Sequence, residues 1–89
     1  MKANKDFVMR EIAGEHILVP TGKASEKLYG LVTLEGSGLF LWNLLQEECT
    51  EAQLLQAMLD EYEVEPDVAA ADLEKFLTTL RESGLIEEA

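Results

Sequence analysis

Residues 28–42, LYGLVTLEGSGLFLW, decide how this chain is read. Leu31-Val32-Thr33-Leu34 is an apolar, partly β-branched run, as a strand requires. It meets Gly36-Ser37-Gly38, a tight turn from strand into helix, and then Leu39-Phe40-Leu41-Trp42. The segment GLFLWNLLQEE carries apolar side chains on nearly all sides, so its helix must be covered from several directions and sit centrally in the core. Glu35 is a weak cap for that helix, and Ser37 offers the better oxygen.

Upstream, FVMREI (7–12) reads as a strand in which Phe7 and Met9 alternate with Val8 and Arg10. Gly14 can supply the positive φ of a tight hairpin turn. HILVP then reads as the return strand, ended by Pro20, which has no N–H for a ladder. TGKASEKLYG (21–30) is a polar loop leading to the third strand, Leu31 to Leu34. The first six residues are expected to be disordered.

Downstream, Thr50-Glu51-Ala52-Gln53 is a capping-box pattern that starts a second helix. Its apolar stripe is Leu54, Leu55, Met58, Leu59 and Tyr62. EVEP breaks the chain, and Pro66 suits the first turn of a third helix. Ala69, Leu73, Phe76, Leu77 and Leu80 form the buried stripe of that helix, Gly84 stops it, and Leu85 and Ile86 tuck back as a short tail. Three antiparallel strands followed by three helices predict an α+β fold in one domain spanning residues 1–89.

The charge pattern restricts function. Net charge is −11. Through Leu28 there are five Lys/Arg and four Asp/Glu, and beyond it two Lys/Arg and fourteen Asp/Glu. Such a chain lacks the cations that replace counterions on a phosphate backbone. The third helix, the would-be recognition helix of a winged helix-turn-helix, sets Asp67, Asp72, Glu74 and Glu82 against Lys75 and Arg81. Nucleic-acid binding is therefore not expected. No apolar run approaches the roughly 20 residues of a membrane helix. The N-terminus meets acidic residues too early for a signal peptide, so a cytoplasmic protein is expected.

Catalytic and metal chemistry find little to work with. His16 and Cys49 are the only histidine and cysteine. A nucleophile–base pair would also need an orienting group and an oxyanion site, and His16 falls beside a hairpin while Cys49 falls in a link between helices. The EGSG turn lacks the lysine and length of a phosphate-binding loop. EYEVEPD lacks the calcium-loop pattern and reads as a solvated acidic edge. No enzyme activity, cofactor or metal is expected.

Three stretches carry a resemblance: FVMREIAGEHILVP, LVTLEGSGLFLWNLLQE, and TEAQLLQAMLDEYEVEPDVAAADLEKFLTTLRESGLI. Together, from about Phe7 to Ile86, they resemble the PqqD family (pyrroloquinoline quinone biosynthesis protein D), also called the RiPP recognition element. The most telling parts are Leu34, Gly38, Leu41 and Trp42, then Tyr62 and Val64, and the closing D-L-x-x-F-L-x-x-L-x-x-x-G-L-I. The family pattern commonly has Asn where Glu35 stands. The resemblance implies a winged-helix-like fold and no catalysis. It implies binding of the leader part of a ribosomally made precursor peptide, and its presentation to a tailoring enzyme such as a radical SAM protein.

Carried over, the resemblance points to Leu31, Val32, Thr33 and Leu34 as the strand to which the peptide adds. On the third helix it points to the face beside the core stripe: Val68, Asp72, Lys75, Phe76 and Thr79. An exposed edge strand offers unpaired N–H and C=O groups, a hazard in most proteins that would here be the function. If the Val32 N–H faces the peptide, Val32→Pro removes a ladder donor. The alternative reading is a scaffolding subunit that uses the same edge to dimerise or to dock a larger enzyme, and a homodimer fits either reading.

Overall fold

The computed structural model describes residues 1–21 and 32–88. Apart from Thr21, the expected polar loop lies outside the described residues, as does Leu31 of the expected third strand. The elements run β1 (Lys2–Ala3), β2 (Phe7–Ile12), β3 (Glu15–Pro20), β4 (Val32–Leu34), α1 (Ser37–Leu44), α2 (Glu51–Glu61), α3 (Pro66–Glu82) and β5 (Ile86–Glu87). The arrangement is the expected α+β, winged-helix-like one, with antiparallel strands ahead of three helices.

β2, β3 and β4 form an antiparallel sheet in that order, so among the described residues β2 and β4 are its edges. Ala13 and Gly14 join β2 to β3 with φ of 53° and 81°, the left-handed pair of a two-residue type I′ turn. The closing pair of such a turn, Ile12 and Glu15, exchanges both its backbone hydrogen bonds.

The helix starts follow local chemistry. Thr50 caps α2: its Oγ1 accepts from the Gln53 N–H at 3.1 Å, and its N–H donates to Gln53 Oε1 at 2.8 Å. Pro66 opens α3 at a position where a missing N–H costs nothing. α1 differs from expectation. Gly36 holds its cap position at φ 57°, ψ −130°, and neither Glu35 nor Ser37 supplies a side-chain cap bond. Backbone freedom at Gly36 turns the chain where a hydroxyl was expected to do so.

Leu41, Trp42 and Leu45 of the α1 segment are buried against Leu18 and Leu34 of the sheet, Leu54 and Met58 of α2, and Leu73, Leu77 and Leu80 of α3. Phe40, on another side of α1, meets Tyr62 edge to face at 5.5 Å. This is the many-sided cover that an all-round apolar helix requires.

The first six residues are ordered rather than disordered. Lys2 pairs with Glu87 and Ala3 with Ile86 across β1 and β5. Ala3 N–H donates to Leu45 O at 2.7 Å, and Asn4 N–H to Leu85 O at 2.8 Å. Backbone bonds to residues distant in sequence hold this segment.

Ala13 is the only described non-glycine residue at positive φ. Asn is favoured at the first central position of a type I′ turn because it tolerates that conformation. Ala13→Asn is expected to stabilise the fold by about 1 kcal/mol, raising Tm by roughly 4–8 °C in a thermal melt; an unchanged Tm would mean that the turn is not held in this form.

Candidate functional site

The hairpin closure determines the direction of every backbone group in the sheet. Hydrogen-bonded and non-bonded pairs alternate along an antiparallel ladder, so Arg10–Ile17 and Val8–Val19 are also bonded pairs. Thr21 N–H donates to Asp6 O at 2.6 Å, in keeping with that alternation. The backbone groups of Ile17 and Val19 are thus used on β2, and those of His16 and Leu18 turn to β4. His16 pairs with Leu34 and Leu18 with Val32, while Ile17–Thr33 is the non-bonded pair between them.

On β4, therefore, Val32 and Leu34 spend their N–H and C=O groups on β3, and Thr33 directs both of its own outward. The Val32 N–H does not face a strand arriving at the free edge, and the expectation placed on it passes to Thr33. Side chains alternate in the same sense: Leu34 is buried, Val32 half-buried and Thr33 exposed.

α3 stands beside this edge through Phe76. The start of α1 lies so close to that ring that a Cβ at Gly38 would sit 3.3 Å from Phe76 Cε1 and 3.8 Å from Leu34 Cδ2. The structure thus brings Leu34 of the expected strand and Phe76 of the expected helix face to one place. Gly38 is their spacer, a role that sequence reasoning assigned to turn formation alone. Phe76 is half-buried and flanks the fully buried stripe Ala69, Leu73, Leu77 and Leu80.

Val68, Asp72, Lys75 and Thr79 lie on the same side of α3 by helical spacing, and all are exposed. Val68, 47% exposed, is one of few large apolar side chains so open to solvent. Thr79 Oγ1 donates to Lys75 O at 3.1 Å. Asp72 and Lys75 form no ion pair with a described residue. Among the described residues the outer edge of β4 is thus unpaired, and α3 bears exposed apolar, acidic and basic positions next to Phe76 along the helix.

The residues considered for catalysis stand in different elements of the fold. His16 lies in β3 opposite Leu34, and Cys49 lies between α1 and α2. Cys49 Sγ is 3.9 Å from Leu44 O, and burial pushes its thiol pKa up, away from the thiolate a nucleophile needs. Among the described residues no group of three or more His, Cys, Asp or Glu could hold a metal ion. No described helix is long and apolar enough to cross a membrane.

The pattern of the family described as coenzyme PQQ synthesis protein D (PqqD) matches residues 15–86. Among curated proteins, none matches the chain significantly. Two solved structures do. One, described as TbiB1 in complex with the TbiA(beta) leader peptide, is 26% identical with a TM-score of 0.79, over 100% of this chain and 98% of that one. The other, described as lasso peptide synthetase B1 complexed with the leader peptide, is 18% identical with a TM-score of 0.74, over 98% and 96% of the two chains. At that second identity the likeness is one of fold.

The bonding pattern of β4 separates two neighbouring proline substitutions. Val32→Pro removes a donor to Leu18 and leaves a buried carbonyl unpaired, at a cost of about 1–3 kcal/mol. Thr33→Pro removes an N–H that faces outward, the position at which an edge strand tolerates proline. Thermal melts are expected to place V32P roughly 10 °C below the parent protein and T33P within a few degrees of it; the reverse order would mean the opposite register.

Proposed function

The chain belongs to the family of coenzyme PQQ synthesis protein D, and on that premise we propose that it is a non-catalytic adaptor for a peptide. It takes the leader segment of a ribosomally made precursor as an added strand on β4 and presents it to a modifying enzyme. The observation that carries this reading is the edge of β4, free among the described residues, where Thr33 turns its backbone outward near Phe76 of α3. The two similar structures, each described as a complex with a leader peptide, support it.

The mechanism is binding by complementarity of backbone and groove. The peptide's N–H and C=O groups meet those of Thr33, whatever the peptide's sequence. Alternate peptide side chains then point into the space between β4 and α3. There Val32 and Phe76 offer apolar contact, while Val68, Asp72, Lys75 and Thr79 grade the preference by size and charge. The acidic surface disfavours leaders rich in Asp and Glu, except toward the near-neutral N-terminal third. The modifying enzyme, a radical SAM protein among the candidates, supplies the chemistry, and the encounter takes place in the cytoplasm, where precursor peptides are made.

Affinity capture from the native cell, with mass spectrometry that includes small peptides, tests this directly. Recovery of a short ribosomal peptide is expected, and recovery of one large protein with no peptide would favour a scaffolding role. With the peptide in hand, Thr33→Pro is expected to weaken binding about 2- to 12-fold through loss of one backbone bond, while the melting curve stays near that of the parent.

A charge reversal probes the helix side. Asp72 is exposed and unpaired among the described residues, so Asp72→Lys should change stability by no more than about 0.5 kcal/mol. Peptide affinity should change several-fold, rising for a peptide with acidic residues, when measured by calorimetry at low and high salt. A large loss of stability would make Asp72 a structural residue instead.

A further inference from the structure

A second concave surface lies between α2 and α3. It is an open groove of about 290 Å³ with Ala52 and Leu55 on one wall and Ala70 and Leu73 on the other. Leu73 is buried and Leu55 half-buried, so the floor is apolar. The alanines leave room that larger side chains would fill. Glu51 and Glu74 flank the opening. Neither carboxylate has an ion-pair partner among the described residues. Arg81 lies within electrostatic reach of both, but its Nε is bonded to Glu88 at 2.6 Å.

The occupant follows from charge. An acidic segment would be repelled by the two carboxylates, and a purely apolar one would leave them without a partner. We infer that the groove docks a segment of the modifying enzyme that inserts an apolar side chain between Ala52 and Ala70 and carries lysine or arginine toward Glu51 and Glu74. The wider field favours the same approach, since fourteen Asp/Glu stand against two Lys/Arg after Leu28.

The groove is separate from the peptide edge. Ala70 and Glu74 lie about half a turn around α3 from Val68, Asp72, Lys75 and Thr79, with Leu73 and Leu77 of the buried stripe between the two sides. A peptide on β4 and a protein segment on the groove can therefore be held together. That the segment belongs to the modifying enzyme rests on the function proposed above, whereas the groove's preference for a basic segment does not.

The probe is a synthetic amphipathic peptide of leucine and lysine, titrated into the isotope-labelled full chain and followed by amide NMR shifts. Shifts are expected at Ala52, Leu55, Ala70 and Glu74, and not at Thr33 or Phe76. The double variant E51Q/E74Q should weaken the probe about fivefold. The charge-matched control E11Q/E15Q, on exposed residues of the β2–β3 hairpin outside the groove lining, should leave affinity within about twofold. Ala70→Trp, which fills the slot, should remove the localised shifts.

Equal weakening by the two double variants, or shifts spread over the whole acidic surface, would mean charge attraction without a site and would overturn the inference. Thr33→Pro must leave probe binding intact, and a loss there would merge the two surfaces and overturn it as well. Failure of the probe with leader binding intact counts against the groove alone. Failure of leader binding with the probe still bound to the groove counts against the adaptor reading.

Discussion

Two residues at the tip of a hairpin govern which backbone groups are left unpaired along the described edge of the sheet. Ala13 and Gly14 close β2 onto β3 with no extra residue, so Ile12 and Glu15 must bond to each other. From that pair the alternation passes across β3 to β4 and turns the backbone of Thr33 outward. A hairpin longer by one residue would shift the phase of the ladder and exchange the faces of every side chain beyond it. Burial of Leu18 and Leu34 holds the same register from the core side, because a slip would bring them to solvent. Turn chemistry and core packing thus agree, and the free edge inherits its phase from both.

Much of this was legible in the sequence because each signal has a local cause. Thr50 and Gln53 bond to each other across one helical turn, Pro66 fixes its own φ, and the α3 stripe repeats with the helical period. What was not legible depends on atoms far apart along the chain. β1 and β5 have two residues each, too few for a period, and exist because Ala3 and Asn4 reach the carbonyls of Leu45 and Leu85. The cap of α1 falls to Gly36 rather than Ser37, and this was not legible because side-chain caps leave a residue signature, whereas a glycine cap looks like any turn glycine. That Val32, Thr33 and Leu34 lie in a strand was legible in the sequence. Which of them faces outward was not, since that requires the pairing partner of each residue. The α2–α3 groove had no sequence signature at all: Ala52 and Ala70 are ordinary helix residues until the two helices are placed side by side.

α3 is where these demands meet. Its buried stripe anchors the core, one flank carries Phe76 toward the sheet edge, and the other carries Ala70 and Glu74 toward α2. A helix with one buried stripe leaves two flanks near the surface, and here each borders a different neighbour. The core stripe can keep its packing while either flank changes its size and charge. On the proposed reading, specificity for peptide and for partner can then diverge separately, because Asp72 and Lys75 lie about half a turn around α3 from Ala70 and Glu74.

The clasp between β1 and β5 bears on how this unit can be built into larger proteins. Lys2 lies opposite Glu87, so the polypeptide enters and leaves the fold at neighbouring points. A unit with that geometry can be spliced into a surface loop of a host protein without stretching the host, or tethered by either end with little difference in reach. A tether at this point also keeps the unit beside whatever it is joined to, so that a bound segment experiences a raised local concentration of that neighbour, set by the length of the joining chain.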